Sequence, residues 1–501
     1  MAQSPALSPT GSIAAAPPAA SAAHEHRWLV LAVIGVAQLM VILDATIVNI
    51  ALPSAQASLG FSNDQRQWIV TAYALAFGSL LLIGGRLGDL FGRKLIFLVG
   101  LAGFALASAI GGAAPNFEVL VFARTLQGIF GALLAPAALS LLTTTFVDPA
   151  ERGRAFGIFG AIAGAGGGIG LLLGGVLTEY LDWRWTLFVN LLFAAIAIAG
   201  TLTYMRNQRP EYRQPLDVLG TVIVSAGLFS IVYGFSNAGT NAWSDIATWG
   251  LLIVGAVLLV AFTWWETRTS HPLLPMRILL DRNRGGSLIA MLVAGAGMFG
   301  VFLFLTYYLQ QTLGYSPVRT GLAFLPMIGG IMLTATTSTA VLLPRVGARP
   351  LIPTGMVLAA LGLTYMTRLD LTSTYVVDIL PGLVVMGLGM GLIFASAIST
   401  ATLGIDPADA GAGSAMVNTV QQVGGSIGTA VLSTIATSAV TSYLVGRTPD
   451  AATMAQATLE SYSAAYWWSA GFFVVGAVIT FLLLRPGPPT IDPNATPGVH
   501  A

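Results

Sequence analysis

From residue 28 to residue 484 the chain alternates long apolar stretches with short polar breaks. A bilayer core about 30 Å thick needs roughly 20 apolar residues at a rise of about 1.5 Å each. That ruler predicts helical spans at 28–52, 67–87, 95–113, 118–142, 154–178 and 185–205. A pair follows at 217–237 and 246–266, then six more at 286–310, 319–342, 350–368, 375–398, 411–443 and 464–484. The total is fourteen; thirteen or fifteen stay open because 411–443 is long enough to break internally.

The polar breaks are not equivalent, because Arg and Lys collect in alternate ones. With both termini inside, the inner breaks hold sixteen basic residues and the outer ones five, namely Arg66, Arg184, Arg319, Arg368 and Arg447. That asymmetry places both termini in the cytoplasm and supports an even number of spans. Residues 1–27 are rich in Ala, Pro and Ser and lack the basic start and apolar core of a secretory signal. They and the proline-rich 485–501 are expected to be disordered cytoplasmic tails. The segment Phe91-Gly92-Arg93-Lys94-Leu95-Ile96 has a degraded echo at Val346-Gly347-Ala348-Arg349-Pro350-Leu351-Ile352. It suggests two related six-helix bundles, 28–205 and 286–484, with 206–285 a linker carrying the extra pair. The expected fold class is an all-α polytopic membrane protein.

Composition agrees. Only 9% of residues are charged and 55% are hydrophobic, with a mean hydropathy of +0.80. A soluble domain carries about 25% charged residues, so the solvent of this chain is the lipid bilayer. A net charge of +1 with no basic patch among aromatics gives no reason to expect nucleic acid. The absence of cysteine excludes disulfides and thiolate chemistry. No metal-ligand spacing, nucleotide loop or Ser/His/Asp arrangement is present, so neither an enzyme, a metal nor a cofactor is expected. Any transport must then run on ion gradients. Arginine makes up all but one of the 22 basic residues, a bias that fits a GC-rich bacterial genome.

Against that economy, a few charges lie where they are expensive. Asp44 falls inside the first span, where a carboxylate costs about 2.5–3.5 kcal/mol on insertion scales. It is a candidate proton carrier; the alternative is a buried Asp bonded to Asn49 or Thr46. Arg124 is the only base inside a span. At helical rise Asp44 lies about 24 Å from the inner face and Arg124 about 9 Å below the outer end of its helix. Both fall in the outer third, so neighbouring helices would let them pair. Gly85-Arg86-Leu87-Gly88-Asp89-Leu90-Phe91-Gly92-Arg93-Lys94 is a dense cluster of glycine and charge after the second span, and it reads as a gate. Ordinary inside-positive charge explains Arg86, Arg93 and Lys94 but not Asp89, which suits a neighbouring helix N-terminus. The run Gly160–Gly175 places Gly164, Gly166, Gly168, Gly170, Gly174 and Gly175 in one span at small-residue spacing, for close packing or for bending. Asn49, Gln127, Tyr307, Tyr308, Gln310, Gln311, Asn418 and Gln421 are candidates for a polar substrate cavity, or for bonds between helices. Glu179, Asp182, Arg184 and Asp378 read as interfacial charges.

These residues resemble a known family, the fourteen-span drug:proton antiporters of the major facilitator superfamily, over nearly the whole chain between the tails. Leu43-Asp44-Ala45-Thr46-Ile47-Val48-Asn49-Ile50-Ala51-Leu52-Pro53 is similar to the family's first-helix motif, and Gly85–Lys94 to the superfamily's loop motif. Arg124-Thr125-Leu126-Gln127-Gly128 with Gly131 is similar to its fourth-helix motif. Trp183-Arg184-Trp185 through Asn190, and Tyr307-Tyr308-Leu309-Gln310 with Gly314-Tyr315-Ser316-Pro317, are also similar. The resemblance implies a monomeric, proton-driven exporter of hydrophobic or amphipathic small molecules in the bacterial plasma membrane; a dedicated exporter of one antibiotic or metabolite and a non-transporting membrane receptor of the same fold are the alternatives. Asp44 would be its proton-coupling acid, Arg124 the base that tunes it, Asp89 and Arg93 a cytoplasmic latch, and the glycine run the antiporter motif. Two departures stand out: Leu171 follows Gly170 where the family has Pro, and Leu191 follows Asn190 where a Pro is common. Losing a helix-breaking Pro weakens the hinge reading of the glycine run more than the packing reading. Some members of that family that export divalent cationic drugs carry an acid in the tenth span; 319–342 holds none, so the resemblance implies neutral or singly charged cargo.

Overall fold

A computed structural model describes residues 26–146, 149–205, 217–241, 245–269, 272, 276–403 and 410–488. Most of both expected tails, and part of the expected linker, therefore lie outside the described residues. The regular structure among those described is helical. Fourteen helices are long: α1 (Arg27–Leu59), α2 (Asn63–Phe91), α3 (Arg93–Gly112), α4 (Phe117–Thr145), α5 (Pro149–Tyr180), α6 (Trp185–Tyr204) and α7 (Val218–Asn241), then α8 (Ile246–Glu266), α9 (Arg282–Tyr307), α10 (Pro317–Thr337), α11 (Ala348–Met366), α12 (Leu380–Thr402), α13 (Ala410–Leu444) and α14 (Ala451–Leu483). Among the described residues, eleven helical stretches are long and apolar enough to cross a membrane. The 411–443 stretch does not divide, since α13 runs unbroken from Ala410 to Leu444.

The polar breaks stop and start helices by capping them. Ser62 and Gln65 form a reciprocal box at the start of α2. Asn116 accepts from Val119 N–H, Asp281 from Asn283 and Arg284, and Asp450 from Thr453. Caps rather than hydropathy set the ends, so α1 and α14 outrun their expected spans: each has 33 residues. Between α2 and α3 the chain turns at Gly92, whose φ of 98° is a conformation that glycine adopts without strain.

The packing repeats after eight helices. α1 packs on α4, α5 and α6, α3 on α4 and α6, and α2 on α4. In the same pattern α9 packs on α12, α13 and α14, α11 on α12 and α14, and α10 on α12. The first six and last six helices meet along α2–α13 and α5–α10, which exchange when the two halves are exchanged. α7 pairs with α8 and rests on α2 and α13. Side-chain contacts divide the molecule lengthwise into two ends. At one, the near end, Arg27 pairs with Glu151 and Arg282 reaches the carbonyls of Leu482 and Leu483. At the far end Arg184 donates to the Ala114 carbonyl and Tyr308 to that of Asp370. Both termini of the described chain are at the near end.

Candidate functional site

Asp44 lies midway along α1 and is 0% exposed. Its Oδ2 accepts Nη1–H of Arg124 at 2.6 Å, while Oδ1 accepts Nε2–H of Gln127 and Nδ2–H of Asn190, each at 2.8 Å. Ser108 of α3 closes the ring, its Oγ accepting from Gln127 at 2.8 Å and from Asn190 at 3.3 Å. Arg124 is held independently of the carboxylate. Its Nε donates to the Ile69 carbonyl of α2 at 3.2 Å, and Nη1 to Gln127 Oε1 at 2.8 Å. Its guanidinium lies 4.4 Å over the Tyr73 ring.

Three donors on one carboxylate suit its ionised form, which accepts hydrogen bonds and donates none. Oδ2 accepts a single donor, which leaves it a lone pair for a proton, and a neutral acid holds the Arg124 donor more weakly than a carboxylate does. Arg124 would then keep the Ile69 carbonyl, Gln127 Oε1 and the face of Tyr73, a partial refuge for its charge. The network therefore has two chemically reasonable arrangements, differing by one proton.

The helix carrying Asp44 is seated on a glycine stripe. A Cβ on Gly166, Gly170 or Gly174 of α5 would lie 2.9 Å from Ile42, 2.0 Å from Thr46 Oγ1 or 2.9 Å from Ile47. Those three α1 residues bracket Asp44. Gly175 faces the other way, where a Cβ would lie 2.7 Å from the Pro317 carbonyl of α10. In return, a Cβ on Gly321 of α10 would lie 2.5 Å from the Leu171 carbonyl. Close backbone approach thus serves two contacts at once, one within the first half and one between the halves.

The other expected residues fall in three places. At the far end, Tyr307 donates to Gln56 Oε1 at 2.7 Å and Gln310 to the Ile50 carbonyl at 3.0 Å, both joining α1 to the second half. Glu179 accepts the N–H of Val318 in the first turn of α10 at 2.9 Å, where a carboxylate complements the helix dipole. Tyr308 is buried, Gln311 and Asn418 are exposed, and Gln421 is half-buried. Asn49 is buried and donates to the Ala45 carbonyl at 3.0 Å within its own helix. At the near end, Lys94 Nζ reaches the Met205 carbonyl at 2.5 Å, which ties the α2–α3 turn to the end of α6. Arg86 Nη2 lies 3.5 Å from the Pro272 carbonyl. Arg93 is half-buried, Gly85 packs beside Pro136, and a Cβ on Gly88 would meet open space. The Asp89 side chain and the surroundings of Gly164 lie outside the described residues.

Sequence reasoning had not singled out Ser108, Tyr73 or Arg66 for a role. Arg66 is 9% exposed and stacks 4.2 Å over the Tyr307 ring of α9. The sequence shows it only as one of the five outer basic residues. The aromatic partner lies 241 positions away in the chain, and no local pattern announces it.

Two repeat-related helical halves, with helices long and apolar enough to cross a membrane, are the architecture of a multi-pass membrane protein. The chain belongs to the Major Facilitator Superfamily, whose family model matches residues 34–429. It is 47% identical over 92% of its length to the puromycin resistance protein pur8 of Streptomyces alboniger, covering 92% of that protein. It is 38% identical over 92% of its length to the cephamycin export protein CmcT of Amycolatopsis lactamdurans, covering 93% of it. The fold matches that of an auto-inhibited POT family peptide transporter with a TM-score of 0.69 at 14% identity, over 94% of this chain and 99% of the other.

Proposed function

We propose that the protein is a proton-driven antiporter that exports amphipathic antibiotics or drugs across the bacterial plasma membrane by alternating access, with fourteen spans and cytoplasmic termini. The observation that carries the proton is the fully buried Asp44 with Arg124, Gln127 and Asn190 upon it. Export as the direction of transport is supported by relatives named for resistance and export. The far end would be the outer one. Contacts of Tyr307, Gln310, Glu179 and Arg66 join the halves there, which supports reading the arrangement as inward-facing.

In the proposed cycle Asp44 gains a proton in the outward-facing state, the pair with Arg124 loosens, and the bundles rock until the far end closes. Inside, Asp44 gives up its proton, Arg124 returns to it, and drug between the halves favours the outward swing. Residues 28–205 and 286–484 would move as units, with the glycine contacts of α5 as the surface on which α1 shifts. A charge moved through 100 mV is worth about 2.3 kcal/mol, so one proton sustains a gradient of roughly fiftyfold from voltage alone.

A second reading, a dedicated exporter of one antibiotic, is favoured by the single compound in each of those relatives' names. Both are tested by expression in a pump-deficient bacterium challenged with puromycin, a cephalosporin and several unrelated cationic dyes, with and without a protonophore. Protonophore-sensitive efflux of several compounds supports the broad exporter, and efflux of one supports the dedicated one. Efflux that survives the protonophore would exclude proton drive.

A further inference from the structure

α13 carries a polar stripe that the proposed proton chemistry does not use. Thr419, Gln422, Ser426, Thr429 and Ser433 follow one another at spacings of three and four residues. That spacing sets them on one side of a helix, over a length of about 21 Å. Thr419, Ser426, Thr429 and Ser433 are 2%, 0%, 1% and 9% exposed, and none of their hydroxyls has a hydrogen-bond partner among the described residues. Membrane helices commonly settle Ser and Thr by bonding back to the carbonyl one turn earlier. α13 does so elsewhere: Thr434 bonds back to Ala430 and Thr441 to Thr437. The stripe residues forgo that option at a buried place, where an unmade hydrogen bond is costly.

The stripe faces the other half of the molecule. A Cβ on Gly78 of α2 would lie 3.4 Å from Gln422, which sets an antiparallel register between the two helices. Seven residues from that contact, towards the far end, stand Thr71 and Thr429; eleven residues from it stand Gln67 and Ser433. Gln67 and Thr71 share a side of α2 with Gly78 and are 1% and 0% exposed, and Gln67 Oε1 and Thr71 Oγ1 are also without partners. The opposite side of α2 is taken by α4, since a Cβ on Gly128 would lie 2.4 Å from the Tyr73 carbonyl. Two facing rows of unused polar atoms therefore line one of the two seams along which the halves must part. None of these side chains is charged.

We propose that the α13 stripe, with Gln67 and Thr71, is a substrate-binding track that opens when α2 and α13 separate. It takes the uncharged hydrogen-bonding face of an amphipathic molecule, such as hydroxyl, amide and ether groups on an apolar body. The ligand part of this rests on the export reading; the opening of the track does not.

The chain has no cysteine, so single cysteines test the track directly. Ser426→Cys, Thr429→Cys and Ser433→Cys are exposed in membrane vesicles to a membrane-impermeant maleimide from the far side, with puromycin or tetraphenylphosphonium as probe. Leu432→Cys is the control, because Leu432 lies against Gly300 of α9 inside the second half. Labelling at the stripe at least tenfold faster than at Leu432→Cys is expected. Puromycin, which bears hydroxyl and amide groups, should slow it at least threefold, while tetraphenylphosphonium, which has none, leaves it unchanged. Labelling that equals the control overturns the track. Fast labelling slowed by neither probe, or equally by both, overturns its selectivity and leaves a water-filled seam only. If wild-type vesicles fail to export either compound, the export reading falls while the labelling ratio still decides whether the seam opens.

Discussion

The first six and last six helices share one packing plan and differ in what they do with it. In both, the fifth helix of the set approaches the first through glycine. Gly170 and Gly174 of α5 meet Thr46 and Ile47, and a Cβ on Gly424 or Gly428 of α13 would lie 2.1 Å from the Leu292 carbonyl or 2.4 Å from Ala296 Cα of α9. In the first half that contact seats a helix bearing Asp44, with Arg124 on the fourth helix of the set. The corresponding helices α9 and α12 carry no acid, and their only bases are Arg282 and Arg284 at the near end. The second half presents Tyr307, Gln310 and the polar stripe of α13 instead. The buried ion pair thus belongs to the first half, and the corresponding helices of the second carry no counterpart. The π-helical turns at Tyr308–Thr312, Ser338–Leu342 and Tyr375–Ile379 all lie in the second among the described residues.

If that division of labour holds, substitutions at equivalent places should have unequal effects. The largest is expected from Arg124→Ala, which strands a buried carboxylate and should cost about 3–5 kcal/mol. A fall in melting temperature that Asp44→Asn largely reverses would show that the stranded charge, and not lost packing, is the cause. Second, Gly170→Val and Gly428→Val should each overpack their helix pair by about 1–3 kcal/mol. Only Gly170→Val should alter drug-induced proton release in purified protein, because only it presses on the Asp44 helix. Equal effects would erase the distinction between the halves. Third, Arg66→Lys removes the planar stack on Tyr307 that joins the halves, an interaction worth about 0.5–1 kcal/mol. Cysteine labelling from the far side should rise by about two- to fivefold. The smallest effect belongs to Asp370 in the α11–α12 turn, where hydrogen bonds from Thr372 and then Ser373 hold the carboxyl below its ordinary range. A depressed acid stabilises above its unfolded pKa of about 3.9 and loses that support as pH falls through its folded value. Wild type and Asp370→Asn should therefore differ slightly in melting temperature at pH 7, with the difference shrinking as pH falls below about 4 towards the lower folded value.

Much of the fold was legible in the sequence because lipid imposes a length on apolar helices. The eight-helix repeat was barely visible: packing needs only small and apolar residues at matched places, and many sequences satisfy that. Asp44 and Arg124 stood out because charge inside a span is rare. Gln127 and Asn190 fell within stretches the sequence had marked, yet their shared carboxylate links α1, α4 and α6, which only folding assembles. Ser108 and Tyr73 were silent, since a lone Ser or Tyr in a membrane helix is unremarkable until its neighbour is known. The Gly85–Lys94 cluster was read as a gate. Its described part forms a glycine-hinged turn fastened by Lys94 to the end of α6.

The central claim is that Asp44 carries the exported drug's counter-proton. It is tested most directly in proteoliposomes, by following proton movement with a pH-sensitive dye as drug is added under an imposed proton gradient. Wild-type protein should show drug-stimulated proton flux that Asp44→Asn abolishes, while Asp44→Asn still binds the drug within a few-fold of wild type. Drug-stimulated flux unchanged in Asp44→Asn would contradict the account.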